Sequence, residues 1–337
     1  MASPADLVPV SHDSNRIVSY NLHGIQQGAP LLSVICNELA PYAIFVQEHW
    51  QTPSNLHRIL NFSENYIGYG ISAMENAVTA SILKGRPWGG ACILIKNKFS
   101  KRVKTLLCSK RCVILLINDL ILINVYIPSF SQENKQIIMD LLEEISGIVE
   151  SEAHAHIIFG GDLNCNVHKP SVVSKLISDF MSNFSLRFVD ENSNPCQLFT
   201  FSNSRQQTSY IDFFLVSESI LPEVQEFAVI EHALNLSDHR PVQILLTAEC
   251  INSMLIDGIE KTNNLTAPKT LRWDHANLND YYNATYTSLY PLWLEVEGSY
   301  TELIKPCACE SPHNASHSKK QKICPGCRAN AAGKVEI

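Results

Sequence analysis

Short apolar runs that each end in a polar cluster recur along this chain and most constrain its fold. RIVSYNLHG, YAIFVQEHW and IIFGGDLNC are three of them, and each passes from apolar residues to amides, acids or histidine. Runs of four to eight β-branched and aromatic residues bounded by turn residues are typical of strands. Polar side chains that could take part in binding or catalysis therefore cluster at the C-terminal ends of these strands.

Few helices are predicted between the strands. NKQIIMDLLEEISGIV, residues 134–149, places Ile138, Leu141, Leu142 and Ile145 on one helical face. PSVVSKLISDFMSNF is a second helix, and PLLSVICNELAP has helical spacing and stops at Pro41. Asn118-Asp119 predicts a hairpin turn. Many β segments with few helices indicate an α+β fold with two packed sheets flanked by helices.

Composition divides the chain into three parts. Residues 1–14 resemble a flexible leader, residues 15–248 form the predicted catalytic domain, and residues 249–337 a linker, short helices and a cysteine-bearing tail. Six residues of the tail belong to the types that bind zinc: Cys307, Cys309, His313, His317, Cys324 and Cys327. The Cys-x-Cys spacing is tight and the order matches no common finger, so a disordered tail is favoured over zinc.

Net charge gives no global case for nucleic-acid binding, because it is −7 with a pI of about 5.9. A local basic stretch runs from Lys84 to Arg111, with nine lysines and arginines and no acid. It is either a phosphate-binding surface or an ordinary solvated hairpin.

The cellular compartment is predicted from cysteines and hydropathy. Eleven cysteines are scattered without a disulfide framework, and no secretory signal begins the chain. Asn118, Asp119 and Asn124 interrupt the longest apolar region, which excludes a membrane span there. We therefore expect an intracellular protein with reduced thiols and no membrane partner.

The polar strand ends supply eight candidate site residues: Asn21, Glu48, Tyr126, Asp162, Asn164, Asp212, Asp238 and His239. Taken singly, each has a structural explanation as a cap or loop residue. Together their types fit phosphodiester hydrolysis, which needs a hard cation, an activated water and donors for the phosphate charge.

Each residue type suits one part of that reaction. Glu48 suits the metal, and Asp162 with Asn164 could hold and activate a water. Asp212 would orient His239 as a cation against a phosphate oxygen. Tyr126 and Asn21 are neutral donors to the same anion.

Six ordered motifs resemble the endonuclease/exonuclease/phosphatase family, which includes DNase I-like nucleases and apurinic/apyrimidinic endonucleases. They are SYNLHG, FVQEHW, NVYIPS, FGGDLNC, SYIDFFLVS and LSDHRPV, spread over residues 15–247. The resemblance implies a four-layered α/β/β/α sandwich with the site at one end of two facing sheets. It assigns Glu48 to the metal, Asp162 and Asn164 to the water, and Asp238 and His239 to the closing Ser-Asp-His motif.

Within that family, the sequence is most similar to endonuclease domains of LINE-type (non-LTR, Jockey-like) retrotransposon polyproteins. KGRPWGGACILIKN, which carries Trp88, resembles their Gly-Gly strand, and Thr200 and Ser209 are weaker matches to substrate-binding hydroxyls. His23 stands where many repair enzymes carry an aspartate, which favours target-DNA nicking and a single metal. No Tyr-x-Asp-Asp polymerase motif is present, so a reverse transcriptase partner domain is absent from this chain.

The leading hypothesis is a Mg²⁺-dependent DNA endonuclease, with Mn²⁺ as a substitute, that nicks one strand and leaves a 3′-hydroxyl. By resemblance it would act in the nucleus. One alternative is an inositol-phosphate or sphingolipid phosphodiesterase or phosphatase of the same fold. Another is a catalytically idle DNA-binding remnant of a mobile element.

Overall fold

The computed structural model describes residues 15–75, 85–152, 155–190 and 199–251. The chain divides into two compact units, Met1–Asn263 and Asn264–Ile337, and the described residues all belong to the first. The predicted leader and the predicted zinc-tail cysteines and histidines lie outside the described residues, as does nearly all of the predicted linker.

The first sheet has six strands in the spatial order β13-β14-β1-β2-β4-β3. These are β1 (Arg16–Asn21), β2 (Ala43–Gln47), β3 (Tyr66–Ile71), β4 (Ala91–Lys96), β13 (Val224–Val229) and β14 (Val242–Leu246). β1 and β2 are parallel, and the other neighbours are antiparallel.

The second sheet also has six strands, in the order β5-β6-β7-β8-β12-β9. They are β5 (Val103–Cys108), β6 (Cys112–Ile117), β7 (Leu120–Tyr126), β8 (His156–Asp162), β9 (Leu186–Phe188) and β12 (Asp212–Ser217). β7 and β8 are its parallel pair. A separate two-stranded ribbon joins β10 (Phe201–Ser202) to β11 (Thr208–Ser209).

Helices lie on the outer faces of both sheets, except that the last of them contributes to the cluster between the sheets. They are α1 (Ile25–Val34), continued by a π-helical turn (Ile35–Leu39), α2 (His57–Leu60), α3 (Asn134–Ser151), α4 (Val172–Asn183) and α5 (Ala248–Ile251). Short 3₁₀ turns are Pro53–Asn55, Asn97–Arg102 and Leu221–Glu223. No helix in these stretches has the length and apolar character needed to cross a bilayer.

Three apolar clusters define four layers. One lies between the sheets, where Phe45 and Phe214 contact each other at 5.8 Å between ring centroids. The second joins the second sheet to α3 and α4, and the third joins the first sheet to α1. The predicted four-layered α/β/β/α sandwich is confirmed. Cys250 and Ile251 of α5 are buried in the inter-sheet cluster, so the packed region extends to Ile251.

Most predicted elements lie where the sequence placed them. α3 begins at Asn134 as predicted and buries the predicted face, and Asn118-Asp119 turns β6 into β7. The helix predicted to start at Pro30 begins at Ile25, with Pro30 inside it. β3 was missed because Gly68 and Gly70 give it low strand propensity. Both glycines are close-packed: a Cβ at Gly68 would clash with the Leu60 backbone, and one at Gly70 with the Ala91 carbonyl.

Candidate active site

Sheet topology brings most of the polar strand ends to one edge, called here the catalytic edge. Parallel strands β1 and β2 end in register at Asn21 and Gln47, and β7 and β8 at Tyr126 and Asp162. β12 is antiparallel to β8, so its first residue, Asp212, pairs with Asp162. β14 is antiparallel to β1, which brings the preceding Asp238 and His239 to the same edge.

Gly160 and Gly161 continue β8 and do not form the turn that a Gly-Gly pair suggests. A Cβ at Gly160 would lie 2.6 Å from the Phe214 ring. Gly161 has φ +138°, and a Cβ there would overlap the carbonyl oxygen of Val125. The glycines therefore let β8 pack closely against its neighbours up to Asp162, and the bend comes later, at Asn164 with φ +48°.

Asp162 is fully buried and accepts three hydrogen bonds. Its Oδ1 accepts from the backbone N–H of Asn164 at 2.8 Å. Its Oδ2 accepts from the side-chain amides of Asn21 at 2.9 Å and Asn164 at 3.2 Å. The carboxylate is thus held in one orientation by neutral donors.

Asp212 and His239 form a buried pair. Nδ1 of His239 lies 3.0 Å from Oδ2 of Asp212 and 3.2 Å from Oδ1. The other ring nitrogen, Nε2, lies 3.9 Å from Oδ2 of Asp162. Asp212 therefore fixes the imidazole so that Nε2 faces the space beside Asp162.

Burial and charge shift both of the titrating groups that meet there. Burial raises the pKa of Asp162, His239 lowers it and Asp212 raises it, with the net result about 7. Burial lowers the pKa of His239, but Asp212, Asp162 and Asp238 outweigh that effect and raise it to about 10. His239 is therefore a cation at neutral pH, beside a carboxylate that titrates near neutrality.

Thr200 differs from its predicted role as a substrate-binding hydroxyl. It is fully buried, and its Oγ1 accepts the backbone N–H groups of Ile211 and Asp212, each at 3.1 Å. Its hydroxyl therefore supports the backbone that carries Asp212. Ser209, the other weaker match, is exposed on β11 and pairs with Phe201.

Glu48 is half-buried at the catalytic edge and has φ +50°. Its Oε1 accepts from the Asn21 amide at 3.2 Å, and its Oε2 accepts from the indole N–H of Trp50 at 2.9 Å. Burial, the charges of Glu48 and Asp162, and a hydrogen bond with Glu48 raise the pKa of Tyr126 far above its ordinary value. Tyr126 therefore stays a protonated donor.

Two sets of groups at the catalytic edge could hold a cation. Asp162, Asp212 and His239 each offer a ligand atom, all within 4.8 Å of one another. Their hydrogen bonds to one another and to Asn21 and Asn164 occupy much of that ligand capacity. Among the described residues, the hydrogen-bond donors to Glu48 are neutral, and Glu48 lines a cleft of about 250 Å³, so it fits a hydrated Mg²⁺ better.

Asn164 forms hydrogen bonds with other neighbours in addition to those it donates to Asp162. Its amide N–H₂ donates to the carbonyl of Ile127 at 2.9 Å, and its Oδ1 accepts from Ser129 at 3.0 Å. These contacts connect the loop after β7 to the loop after β8. The orientation of Asn164 is thereby fixed from both strands.

His23 pairs with Asp238 across the rim of the site. Nδ1 of His23 lies 3.0 Å from Oδ1 of Asp238, and its ring contacts Trp50 at 4.7 Å between centroids. Burial raises the pKa of Asp238, but the hydrogen bond from His23 and the charge of His239 lower it overall. Asp238 therefore remains a carboxylate near His239.

Only part of the basic stretch lies at the catalytic edge. Trp88, Lys110 and Arg111 line the same cleft as Glu48 and Tyr126, and Arg86 stacks on Trp50 at 4.2 Å. Lys96 lies at the opposite end of the first sheet, where it pairs with Tyr66. Lys104 forms an ion pair of 3.0 Å with Glu152, and Lys84 lies outside the described residues. The stretch is therefore not one continuous phosphate-binding surface.

Several supporting residues were not predicted. Gln47 and Asn124 join the two sheets beneath the site by a buried 2.6 Å hydrogen bond. Ser237 donates to the carbonyl of Asn21 at 2.8 Å, and Asn235 donates to the carbonyl of His239 at 2.8 Å. Polar residues inside otherwise apolar strands, as in VQE and INV, are the sequence signal that could have identified the first pair.

Comparison with known proteins identifies a similar sequence family and similar folds. The sequence profile of a family described as endonuclease-reverse transcriptase matches residues 120–243, which include Tyr126, Asp162, Asp212 and His239. Curated protein sequences give no match.

Similar solved structures share the fold at low identity. A 3′ phosphatase from Neisseria bound to a product DNA hairpin aligns with TM-score 0.52 and 15% identity, covering 69% of this chain and 99% of that one. An AP endonuclease from Leishmania major aligns with TM-score 0.53 and 14% identity, covering 68% of this chain and 87% of that one. The endonuclease domain of TRAS1, a telomere-specific non-LTR retrotransposon, aligns with TM-score 0.50 and 16% identity, covering 68% of this chain and 97% of that one. The predicted resemblance to DNase I-like nucleases is confirmed.

Proposed function

We propose that this chain is a divalent-metal-dependent DNA endonuclease that nicks one strand by phosphodiester hydrolysis. The observation that carries the proposal is the hydrogen-bonded group at the catalytic edge. In it, Asn21 links the buried Asp162 to the open Glu48, and Asp212 holds His239 so that its second ring nitrogen faces the space beside Asp162. A base, a phosphate-side cation and a metal-type carboxylate are thereby brought to one place.

Asp162 is the proposed base. Its raised pKa, about 7, matches a base that works near neutral pH, and its orientation is set by Asn21 and Asn164. It takes a proton as the oxygen of a water forms a bond to phosphorus. The P–O3′ bond breaks, and the 3′ oxygen takes a proton from solvent water, which leaves a 3′-hydroxyl and a 5′-phosphate.

His239 and Tyr126 stabilise charge on the phosphate. The imidazolium, held by Asp212, directs Nε2 towards a phosphate oxygen, and Tyr126 offers a neutral O–H. Glu48 would hold a Mg²⁺ ion, or Mn²⁺ in its place. When bound, that ion supplies positive charge to the same phosphate oxygens.

DNA is the proposed substrate because cations and an aromatic surface adjoin the site in an otherwise acidic protein. Lys110 and Arg111 suit phosphate contacts, and Trp88 is exposed at the cleft. One similar structure is named as a retrotransposon endonuclease domain. We extend that to target-site cleavage in the nucleus, together with a reverse transcriptase partner.

Supercoiled plasmid tests this function. Wild-type protein with Mg²⁺ should convert it to the nicked circle, and DNA ligase should reseal the nick, because sealing needs a 3′-hydroxyl beside a 5′-phosphate. Chelation of the metal should stop the reaction. Phosphate release from an inositol phosphate, with plasmid intact, would instead support the phosphatase. DNA binding without cleavage in either metal would support the idle remnant.

A further inference from the structure

Exposed apolar side chains gather at the catalytic edge. Eight large apolar residues are exposed in the described part of the chain, and four of them lie in loops at this edge: Trp88, Phe130, Leu234 and Leu236. Single exposed apolar residues are normal, but a group beside a site indicates contact with an apolar ligand surface. Leu236 is 61% exposed and Leu234 47%.

The loop that carries the two leucines is fixed from within. Asn235, between them, accepts a hydrogen bond from the buried Tyr20 hydroxyl at 2.7 Å and donates to the carbonyl of His239 at 2.8 Å. Ser237 donates to the carbonyl of Asn21. Because alternate residues point inward, the leucines are held out into solvent, and ordering them on binding costs little.

The same hydrogen bonds tie the leucines to the phosphate site. Asn21 and His239 both belong to that site, so the loop that carries Leu234 and Leu236 adjoins the place where the phosphate of a ligand would lie. His239 is cationic, and Lys110 and Arg111 add positive charge at the edge. A polyanion with apolar faces near its phosphates fits this combination, and base pairs in DNA provide such faces.

We propose that Leu234 and Leu236 form a wedge that enters the base stack next to the scissile phosphate; this rests on DNA being the substrate. Apolar side chains inserted at a base step unstack it and kink the duplex. Pyrimidine–purine steps yield most easily, whereas A-tracts are stiff. The wedge therefore sets a preference for cleavage at TA and CA steps.

Short duplexes test the wedge. They carry TA, CA or AA at the mapped nick position, with 2-aminopurine beside the step, and the full chain is assayed with Mg²⁺. Wild-type protein should cut the TA duplex about tenfold faster than the AA duplex, since the two steps differ in deformation energy. Binding should also raise 2-aminopurine fluorescence.

The double variant Leu234→Ser/Leu236→Ser should lose the fluorescence rise and bring the TA-to-AA rate ratio close to one. On a duplex mismatched at the step, the cleavage rate of the variant should be less than about threefold below that of the wild type, because the step is already unstacked. The control Ile67→Ser/Ile137→Ser removes two other exposed apolar side chains, one on β3 and one on α3. It should keep the wild-type ratio and fluorescence.

An unchanged ratio and fluorescence rise in a folded Leu234→Ser/Leu236→Ser variant would overturn the wedge while leaving the nuclease intact. If wild-type protein binds but cuts no duplex, a leucine-dependent fluorescence rise keeps the wedge and rejects the nuclease. If wild-type protein neither cuts the duplexes nor raises 2-aminopurine fluorescence, both the nuclease and the wedge are rejected. Leucine-dependent binding to phosphatidylcholine vesicles, without a fluorescence change on DNA, would assign the leucines to a lipid surface.

Discussion

Glu48 and Asp162 accept hydrogen bonds from the same amide, that of Asn21, yet they sit in opposite environments. Glu48 opens into a cleft of about 250 Å³, whereas Asp162 is fully buried between the two sheets. An open carboxylate keeps sites for a hydrated cation. A buried one has its pKa raised towards neutrality, which suits the role of base proposed for Asp162.

Backbone geometry causes that difference. Gly160 and Gly161 let β8 run close against β7 and β12, which carries Asp162 into the interior. β2 instead ends one residue before Glu48, whose positive φ turns the chain outward. Asn21 lies at the end of β1, where it can reach both groups. The strands that precede the two carboxylates thus set their different burial, which underlies the different roles proposed for them.

The largest effect is expected from removing the charge of Asp162. Asp162→Asn keeps the shape and most hydrogen bonds but cannot take a proton, so nicking should fall by about a thousandfold or more. Single-turnover assays on supercoiled plasmid measure this. Asp179→Asn, an exposed site on α4, should match wild type. A loss of less than tenfold in Asp162→Asn would remove it as the base.

A smaller loss is expected at Glu48. Glu48→Gln should lower nicking by about a hundredfold and raise the Mg²⁺ concentration needed for half-maximal rate, because one metal ligand has lost its charge. A Mg²⁺ titration at fixed pH measures both quantities. An unchanged Mg²⁺ requirement would place the metal elsewhere, with the group of Asp162, Asp212 and His239 the next candidate.

The pH dependence sharpens the comparison. Since Asp162 must be ionised, the nicking rate should fall as pH drops through about 7. Since His239 must be cationic, the nicking rate should also fall as pH rises through about 10. Asp212→Asn removes the strongest influence that raises the pKa of His239. It should therefore move the alkaline limb to lower pH and reduce the rate by about tenfold to a hundredfold. An alkaline limb that stays in place would argue against His239.

Thr200 should affect stability more than chemistry. Thr200→Val leaves the N–H groups of Ile211 and Asp212 without an acceptor, so the free energy of unfolding should fall by about 1–3 kcal/mol. Urea denaturation measures it, with the exposed Thr105→Val on β5 as control. If Thr200 instead bound substrate, KM would rise while stability stayed unchanged.

The smallest effect is expected at the rim of the cleft. Lys110→Gln should weaken duplex binding modestly and reduce the slope of log K against log salt by about one. Lys175→Gln, on the exposed side of α4, should leave the slope at the wild-type value. Equal slopes for all three proteins would exclude Lys110 from phosphate contact.

Much of the fold could be predicted because apolar runs and helical spacing encode it locally. Strand ends gave the candidate residues, but their side chains meet only through non-local pairing, as where β12 aligns Asp212 with Asp162. The buried role of Thr200 depends on contacts with Ile211 and Asp212, and the support from Asn235 depends on Tyr20, so no pattern within one strand or turn signals them. The same holds for the basic stretch, because β4 carries Lys96 to the opposite end of the first sheet while Lys110 and Arg111 lie at the catalytic edge.

The most direct test of the division between the two carboxylates is a Mg²⁺ and Mn²⁺ titration of plasmid nicking by Glu48→Gln and Asp162→Asn, side by side. Glu48→Gln should recover a large part of its rate at high metal concentration, because its defect is in holding the ion. Asp162→Asn should recover none, because its defect is in taking the proton. Recovery of both variants to the same extent, or full recovery of Asp162→Asn alone, would contradict the assignment.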